Sequence, residues 1–115
     1  MDRAYIYILT NDKNTVLYVG STQGLVKRAY LHRNALLPGF TRKYNVKKLV
    51  YYEECRDLKT AMAREKALKA GSRAKKIQLI SRQNPAWIDL YPRLAESSIA
   101  DCKDKKAVAT SLANN

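Results

Sequence analysis

A carboxylate on the apolar stripe of a helix is the sharpest chemical signal in this chain. Residues 58–70 read as a helix, with Asp57 as N-cap and Gly71 as C-terminal punctuation. Leu58, Ala61, Met62 and Leu68 mark its inward face, and Glu65, its only acid, lies four residues after Ala61 and three before Leu68. An ionised carboxylate left unpartnered on a buried face is strongly unfavourable. Something positive must meet it: a divalent cation, an arginine from another element, or Lys69 on the next turn. The Lys69 pairing alone is worth about 0.2–0.5 kcal/mol.

A second group of reactive side chains lies upstream, between Tyr5 and His32. Tyr7 and Tyr18 fall in two short segments that alternate β-branched and aromatic residues with period two. Arg28 and His32 are four apart and so stack on one face of a helix. Taken alone, an Arg and a His on a basic helix serve solubility or an ion pair equally well.

The elements that must position these groups are short. Ala4–Thr10 reads as a strand, residues 11–14 (NDKN) as a turn, and residues 16–19 as a second strand, which makes an antiparallel hairpin. If Tyr7 and Tyr18 share a face, two phenols converge near one end. Gly20 to Gly24 (GSTQG) suits a turn from strand to helix with exposed N–H groups, able to hold an anion. The helix then runs from Leu25 to about Leu36, ended by Pro38-Gly39. Residues 40–48 (FTRKYNVKK) interleave Phe40 and Tyr44 with Arg42, Lys43, Lys47 and Lys48. Such a segment either offers charge to phosphates and rings to exposed bases or is a loop pinned to the core by its aromatics. Residues 49–53 (LVYYE) read as a third strand. Ser72 caps a last helix, residues 73–82, with Ile77 and Ile80 inward, and Asn84-Pro85 stops it.

Bulk properties narrow the partners. The 115 residues carry 22 Lys and Arg against 10 Asp and Glu, a net charge of +12 with pI about 9.9. Residues 1–91 hold 18 of the basic and 7 of the acidic groups, so the excess belongs to the folded part. Polyanions are the expected partners. Cys55, Cys102 and a single His support neither a zinc site nor a disulfide framework. No apolar run approaches the length of a membrane span, and the expectation is a cytoplasmic protein. Residues 92–115 lack aromatics and read as a flexible tail behind a single domain, residues 1–91.

Tyr5-Ile6-Tyr7, Tyr18-Val19-Gly20, the run Gly24 to Arg28, His32, and the Ala-Arg-Glu-Lys around Glu65 together resemble the GIY-YIG nuclease superfamily. The resemblance spans about residues 4–82 and is strongest to small single-domain bacterial members related to the catalytic domain of the excision-repair protein UvrC and to structure-specific nucleases. It implies an α/β fold, a three-stranded sheet formed by the N-terminal hairpin and one further strand, flanked by three helices. It implies a Mg²⁺-dependent DNA endonuclease, with Mn²⁺ or another divalent cation as substitute, and a repair-related role. Tyr7, Tyr18, Arg28, His32 and Glu65 would be catalytic, with Glu65 on the metal and Gly20 keeping the turn beside Tyr18 unobstructed. Arg42, Lys43, Lys47, Lys48 and Gly20 would meet nucleic acid.

The chemistry agrees: phosphodiester hydrolysis needs a cation on the phosphoryl charge, a metal and a base for water. A phenol with an ordinary pKa near 10 is a poor base, so Tyr18 would need help from nearby cations, while Tyr7 and His32 would orient water and phosphate or share the proton transfer. Two residues depart from the family pattern. Tyr5 replaces the first Gly, and Ser21 stands where some relatives carry Lys, which removes one phosphate contact. With no second domain visible, a protein partner could supply specificity. The competing reading is a non-catalytic nucleic-acid-binding module of the same fold.

Overall fold

Ala4–Thr10 forms β1, the centre of the sheet, buried along its whole length except at half-buried Tyr5. The computed structural model describes residues 3–96. β1 is flanked on both edges, by β2 (Leu17–Thr22) and β3 (Lys48–Cys55), in an all-antiparallel sheet of order β2-β1-β3. This accounts for its near-continuous bulk, since a central strand covered on both faces has no solvent side to alternate toward.

The period of two sorts β1 into two cores. Ala4, Ile6 and Ile8 pack with Val19, Ala61, Leu68 and Ile80, beneath α3 (Leu58–Ala70) and α4 (Arg73–Gln83). Tyr7 and Leu9 pack on the other face with Leu25, Ala29, Val46 and Leu49, beneath α1 (Leu25–Arg33). Opposite Ile8 and Leu9, β3 carries a bulge that leaves Val50 as the extra residue.

Several boundaries differ from expectation. β2 continues through Gly20, Ser21 and Thr22, which pair with Tyr7, Ile6 and Tyr5, so of the five residues expected in the anion-holding turn only Gln23 and Gly24 lie outside the strand. α1 stops at Arg33, three residues short of Leu36 and well before Pro38-Gly39. Ala35 sits at φ 54, with its N–H on the His32 carbonyl and the Leu36 N–H on the Leu31 carbonyl, a Schellman ending built without glycine. Residues 40–43, expected in a loop, form the short helix α2 (Phe40–Lys43), an addition to the three helices expected. Met62 is 55% exposed, not inward: the buried stripe is as narrow as Ala61 and Leu68, and Met62 is turned about 100° from Ala61.

α3 has the expected bounds, with Asp57 Oδ1 accepting from Thr60 N–H at 2.8 Å, and Ser72 caps α4 through Lys75 N–H at 3.2 Å. Residues 91–96 are helical, while residues 97–115, with Cys102 and most of the expected tail, lie outside the described residues. Among the described residues no helix is long and apolar enough to cross a membrane.

Asn84, which reads in the sequence only as a stop, ties three segments together. Its Nδ2 donates to the carbonyls of Val50 and Ile88 and its Oδ1 accepts from Ile88 N–H, all in a site 5% exposed. Removing the amide leaves those backbone groups desolvated without partners. Asn84→Ala should therefore lower the unfolding free energy by about 2 kcal/mol, seen as an earlier urea midpoint at an unchanged slope.

Candidate active site

The hairpin register brings the two phenols together. Tyr7 pairs with Gly20 and Leu9 with Tyr18, so Tyr7 and Tyr18 share one face as diagonal neighbours, with ring centroids 6.4 Å apart. A Cβ on Gly20 would stand 2.5 Å from the Tyr7 hydroxyl oxygen and 2.6 Å from its ring carbon. The Tyr7 ring therefore lies across bare backbone, and Gly20 is buried inside β2. Gly20 makes room for Tyr7 rather than clearing a turn for nucleic acid.

Burial obliges the Tyr7 hydroxyl to find a partner. Tyr7 is 1% exposed, and its oxygen lies 3.2 Å from His32 Nε2. The other ring nitrogen, Nδ1, lies 3.1 Å from Thr41 Oγ1, in a site where His32 and Thr41 are both buried. A neutral imidazole donates from one nitrogen and accepts at the other, so either tautomer satisfies both hydroxyls. Burial first, and the Arg28 charge second, lower His32 to about 4, which keeps it neutral at physiological pH. Burial also pushes Tyr7 up to about 12, reinforced by Tyr18 and opposed by Arg28, so Tyr7 keeps its proton.

Arg28, one turn before His32 on α1, is half-buried and makes no ion pair among the described residues. Its charge acts on both Tyr7 and His32.

Glu65 reaches this group from the opposite face of the sheet. Alternation along β2 sends Gly20 toward Tyr7 and Ser21 toward α3, where Ser21 Oγ donates to Glu65 Oε1 at 2.5 Å. Lys69 Nζ lies 2.6 Å from Oε2. Of the partners the sequence left open, the structure shows Lys69, joined by a hydroxyl from β2. Burial alone would raise the Glu65 carboxyl; the hydrogen bonds from Lys69 and Ser21, with the Lys69 charge, outweigh it and hold Glu65 below the usual carboxylate range. Its side chain remains 21% exposed. The two halves meet around edge strand β2: Glu65 is near enough to act on Tyr7, and Lys69 Nζ stands 5.9 Å from the Tyr18 ring centroid.

Beyond Tyr18 the aromatics continue outward. Phe40 stacks on Tyr18 with centroids 6.2 Å apart and Tyr44 follows at 4.8 Å, both nearly half exposed. Exposed Arg42 and Lys43 belong to α2, and Lys43 Nζ lies 5.4 Å from the Tyr44 ring. Lys47 and Lys48 border a different cleft, with Asp12, Arg33 and Asp89.

Sequence reasoning missed two residues here. Ser21 read as the loss of a phosphate contact, and its tie to Glu65 depends on β2 extending past Gly20. Thr41 is the one aliphatic hydroxyl in a basic and aromatic run, a signal that points to no partner without the fold.

Residues 3–78 match the GIY-YIG catalytic domain. A UPF0213 protein of Clostridium perfringens is 39% identical over 80 residues, covering 70% of this chain and 85% of its own length. Similar proteins come from Staphylococcus saprophyticus, 37% identical over 81 residues (70% and 98% covered), and Syntrophus aciditrophicus, 37% over 86 (74% and 97%). The solution NMR structure of a UPF0213 protein from Bacillus halodurans aligns with a TM-score of 0.47 at 28% identity, covering 74% of this chain and 89% of that one.

Two measurements check the packing around Tyr7. Gly20→Ala forces the ring off the β2 backbone and should cost about 1–3 kcal/mol of stability, with Tyr7 the residue whose NMR shifts move most. His32 gives a pH signature. Its folded value, about 4, lies below the ordinary 6.5, so the unfolded chain binds the extra proton and stability falls as pH drops through that window. Between pH 7.5 and 5 the wild type should lose about 2 kcal/mol more than His32→Gln; parallel pH profiles would show that His32 is not buried neutral.

Proposed function

The chain belongs to the GIY-YIG catalytic-domain family, a nuclease-type family, and from that premise we propose that it is a Mg²⁺-dependent endonuclease hydrolysing DNA phosphodiester bonds. The observation that carries this reading is Glu65: an ionised, partly exposed carboxylate near enough to act on Tyr7, in a cluster of buried tyrosine and histidine whose arginine, Arg28, makes no ion pair among the described residues.

GIY-YIG nucleases generally use divalent metal ions, and the donor set suits one. Ser21 and Lys69 each engage one Glu65 oxygen, which leaves lone pairs on both. Mg²⁺ takes one or two carboxylates and keeps several waters. Among the described residues no three His, Cys, Asp or Glu gather anywhere, so Glu65 would be a lone carboxylate ligand. When bound at Glu65, Mg²⁺ or Mn²⁺ would offset the charge developing on the phosphoryl and leaving oxygens.

The chain's own groups divide the remaining work. Arg28 takes the non-bridging oxygens of the scissile phosphate, its natural bidentate partner. Tyr7, held protonated, donates a hydrogen bond and is too weak an acid to serve as base. His32 fixes the Tyr7 hydroxyl and is itself fixed by Thr41; neutral and enclosed, it orients. Tyr18 is half-buried at the open side of the cluster, next to the Lys69 ammonium, and would hold the attacking water, taking up the water's proton once its own has passed to solvent. Phe40 and Tyr44 extend from it as rings on which flanking bases stack, with Arg42 and Lys43 on adjacent phosphates. A cytoplasmic, repair-related role on structured DNA, with specificity aided by a protein partner, belongs to the same reading.

The test incubates purified protein with supercoiled, branched and single-stranded DNA and with RNA, in Mg²⁺ or in EDTA. Nicking should require Mg²⁺. Glu65→Ala should slow it at least about 100-fold while DNA binding in EDTA stays intact, and Arg28→Ala should impair both. Undiminished nicking by Glu65→Ala would remove the metal assignment; tight binding without metal-dependent nicking would identify a non-catalytic nucleic-acid-binding module.

A further inference from the structure

Residues 58–83, which make up α3 and α4, contain eight basic residues and one acid, Glu65. The two helices thus hold more than half of the chain's net charge of +12. α3 straddles the sheet. Its Glu65 flank meets Ser21 on β2, while Arg64, the neighbouring residue, reaches Glu53 on β3 with two hydrogen bonds of 3.0 Å. The far flank of α3 therefore faces α4, which itself lies against β3 through Gln83 and Asn84.

Between the two helices is a cleft of about 400 Å³, floored by Leu68 and Leu79 and rimmed by Arg64, Lys75, Lys76 and Arg82. Arg64 is engaged by Glu53, and Lys76 Nζ donates to the Gly71 carbonyl at 2.9 Å. Lys75 and Arg82 make no ion pair among the described residues, and no acidic residue lines the cleft. They are seven apart on α4, two turns, so their Cα atoms are separated by roughly 10 Å along the axis. Lys75 and Arg82, which make no ion pair among the described residues, leave a positive potential over the apolar floor that favours a polyanion opposite it.

We propose that the α3–α4 cleft is a second, non-catalytic phosphate-binding track, which holds the backbone of a bound nucleic-acid strand away from the scissile bond. This rests on the nucleic-acid reading above. The solvent face of α3 carries Lys66 and Lys69 between the cleft and Glu65, so a strand leaving the active site crosses no negative group before reaching Lys75 and Arg82. The substrate it favours is accordingly one with a single-stranded or flexible arm long enough to cross α3, rather than a short oligonucleotide.

The experiment measures binding of labelled 30-nucleotide and 5-nucleotide strands in EDTA across a salt series, for wild type, Lys75→Ala/Arg82→Ala, the charge-keeping Lys75→Arg/Arg82→Lys, and Lys13→Ala/Arg93→Ala as a control with the same net charge. The Lys75/Arg82 double alanine variant should bind the long strand about tenfold more weakly, with the slope of log affinity against log salt reduced by about 1.4 for two lost single-strand contacts. Its affinity for the short strand, and the behaviour of the other two variants, should match wild type. Unchanged long-strand affinity and slope would overturn the proposal, as would an equal loss on the short strand or in the Lys13/Arg93 control. Mg²⁺-dependent nicking is followed in parallel. If the wild type never nicks but the slope change is seen, the track stands and the nuclease reading falls; nicking with no slope change does the reverse.

Discussion

The site depends on one close approach, the Tyr7 ring laid over the backbone of Gly20. That contact requires a residue without Cβ on β2 and puts a phenol at 1% exposure inside the sheet–helix interface. A buried hydroxyl must be satisfied, so α1 has to present His32 at that height. The second nitrogen of His32 then needs a partner of its own, which sets where α1 must end and α2 begin. The left-handed turn at Ala35, next to the Asn34 cap, ends α1 and lets the chain return with Thr41 against the ring. One sterically permitted contact in a hairpin thus fixes the ends of two helices.

Burial and charge are segregated by the edge strand. On the Tyr7 face the titratable groups are held neutral: Tyr7 above its ordinary value and His32 below it, with burial the leading cause in both. On the α3 face Glu65 is held ionised by Ser21 and Lys69. Arg28 acts on the enclosed pair, lowering His32 and opposing the rise of Tyr7. Environments that push neighbouring pKa values apart assign their roles: the enclosed pair orients, and the rim residues handle charge.

How much of this could be read from the sequence follows from the range of each interaction. β1 and α3 have the bounds their patterns indicate, because a period of two and a capped helical stripe are local properties. Glu65 stood out because an acid at i+4 from Ala61 conflicts with its surroundings. The same locality explains the misses. Gly20 looked like turn chemistry because glycine permits turns and close approaches alike, and only the partner strand distinguishes them. Met62 looked inward because a stripe drawn from spacing is wider than the contact a small sheet offers. Ser21 and Thr41 act across 44 and 9 residues, through hydroxyls whose partners no local rule supplies.

Lys69 shows how the separation of charges serves the proposed chemistry. A surface i,i+4 pair contributes only about 0.3–0.5 kcal/mol, so the lysine keeps Glu65 ionised without holding it fast. Ser21, from the sheet rather than the helix, sets where the carboxylate points, and that constraint persists if the ammonium leaves. The displaced ammonium need not go far, since the Tyr18 ring lies 5.9 Å away and attracts a cation. On the proposed reading, Glu65, held only by a weak ion pair, would be open to hold a divalent ion, and Lys69 would stay within reach of the Tyr18 ring. A buried arginine in place of Lys69, the alternative the sequence left open, would have locked the carboxylate and left that phenol without a cation.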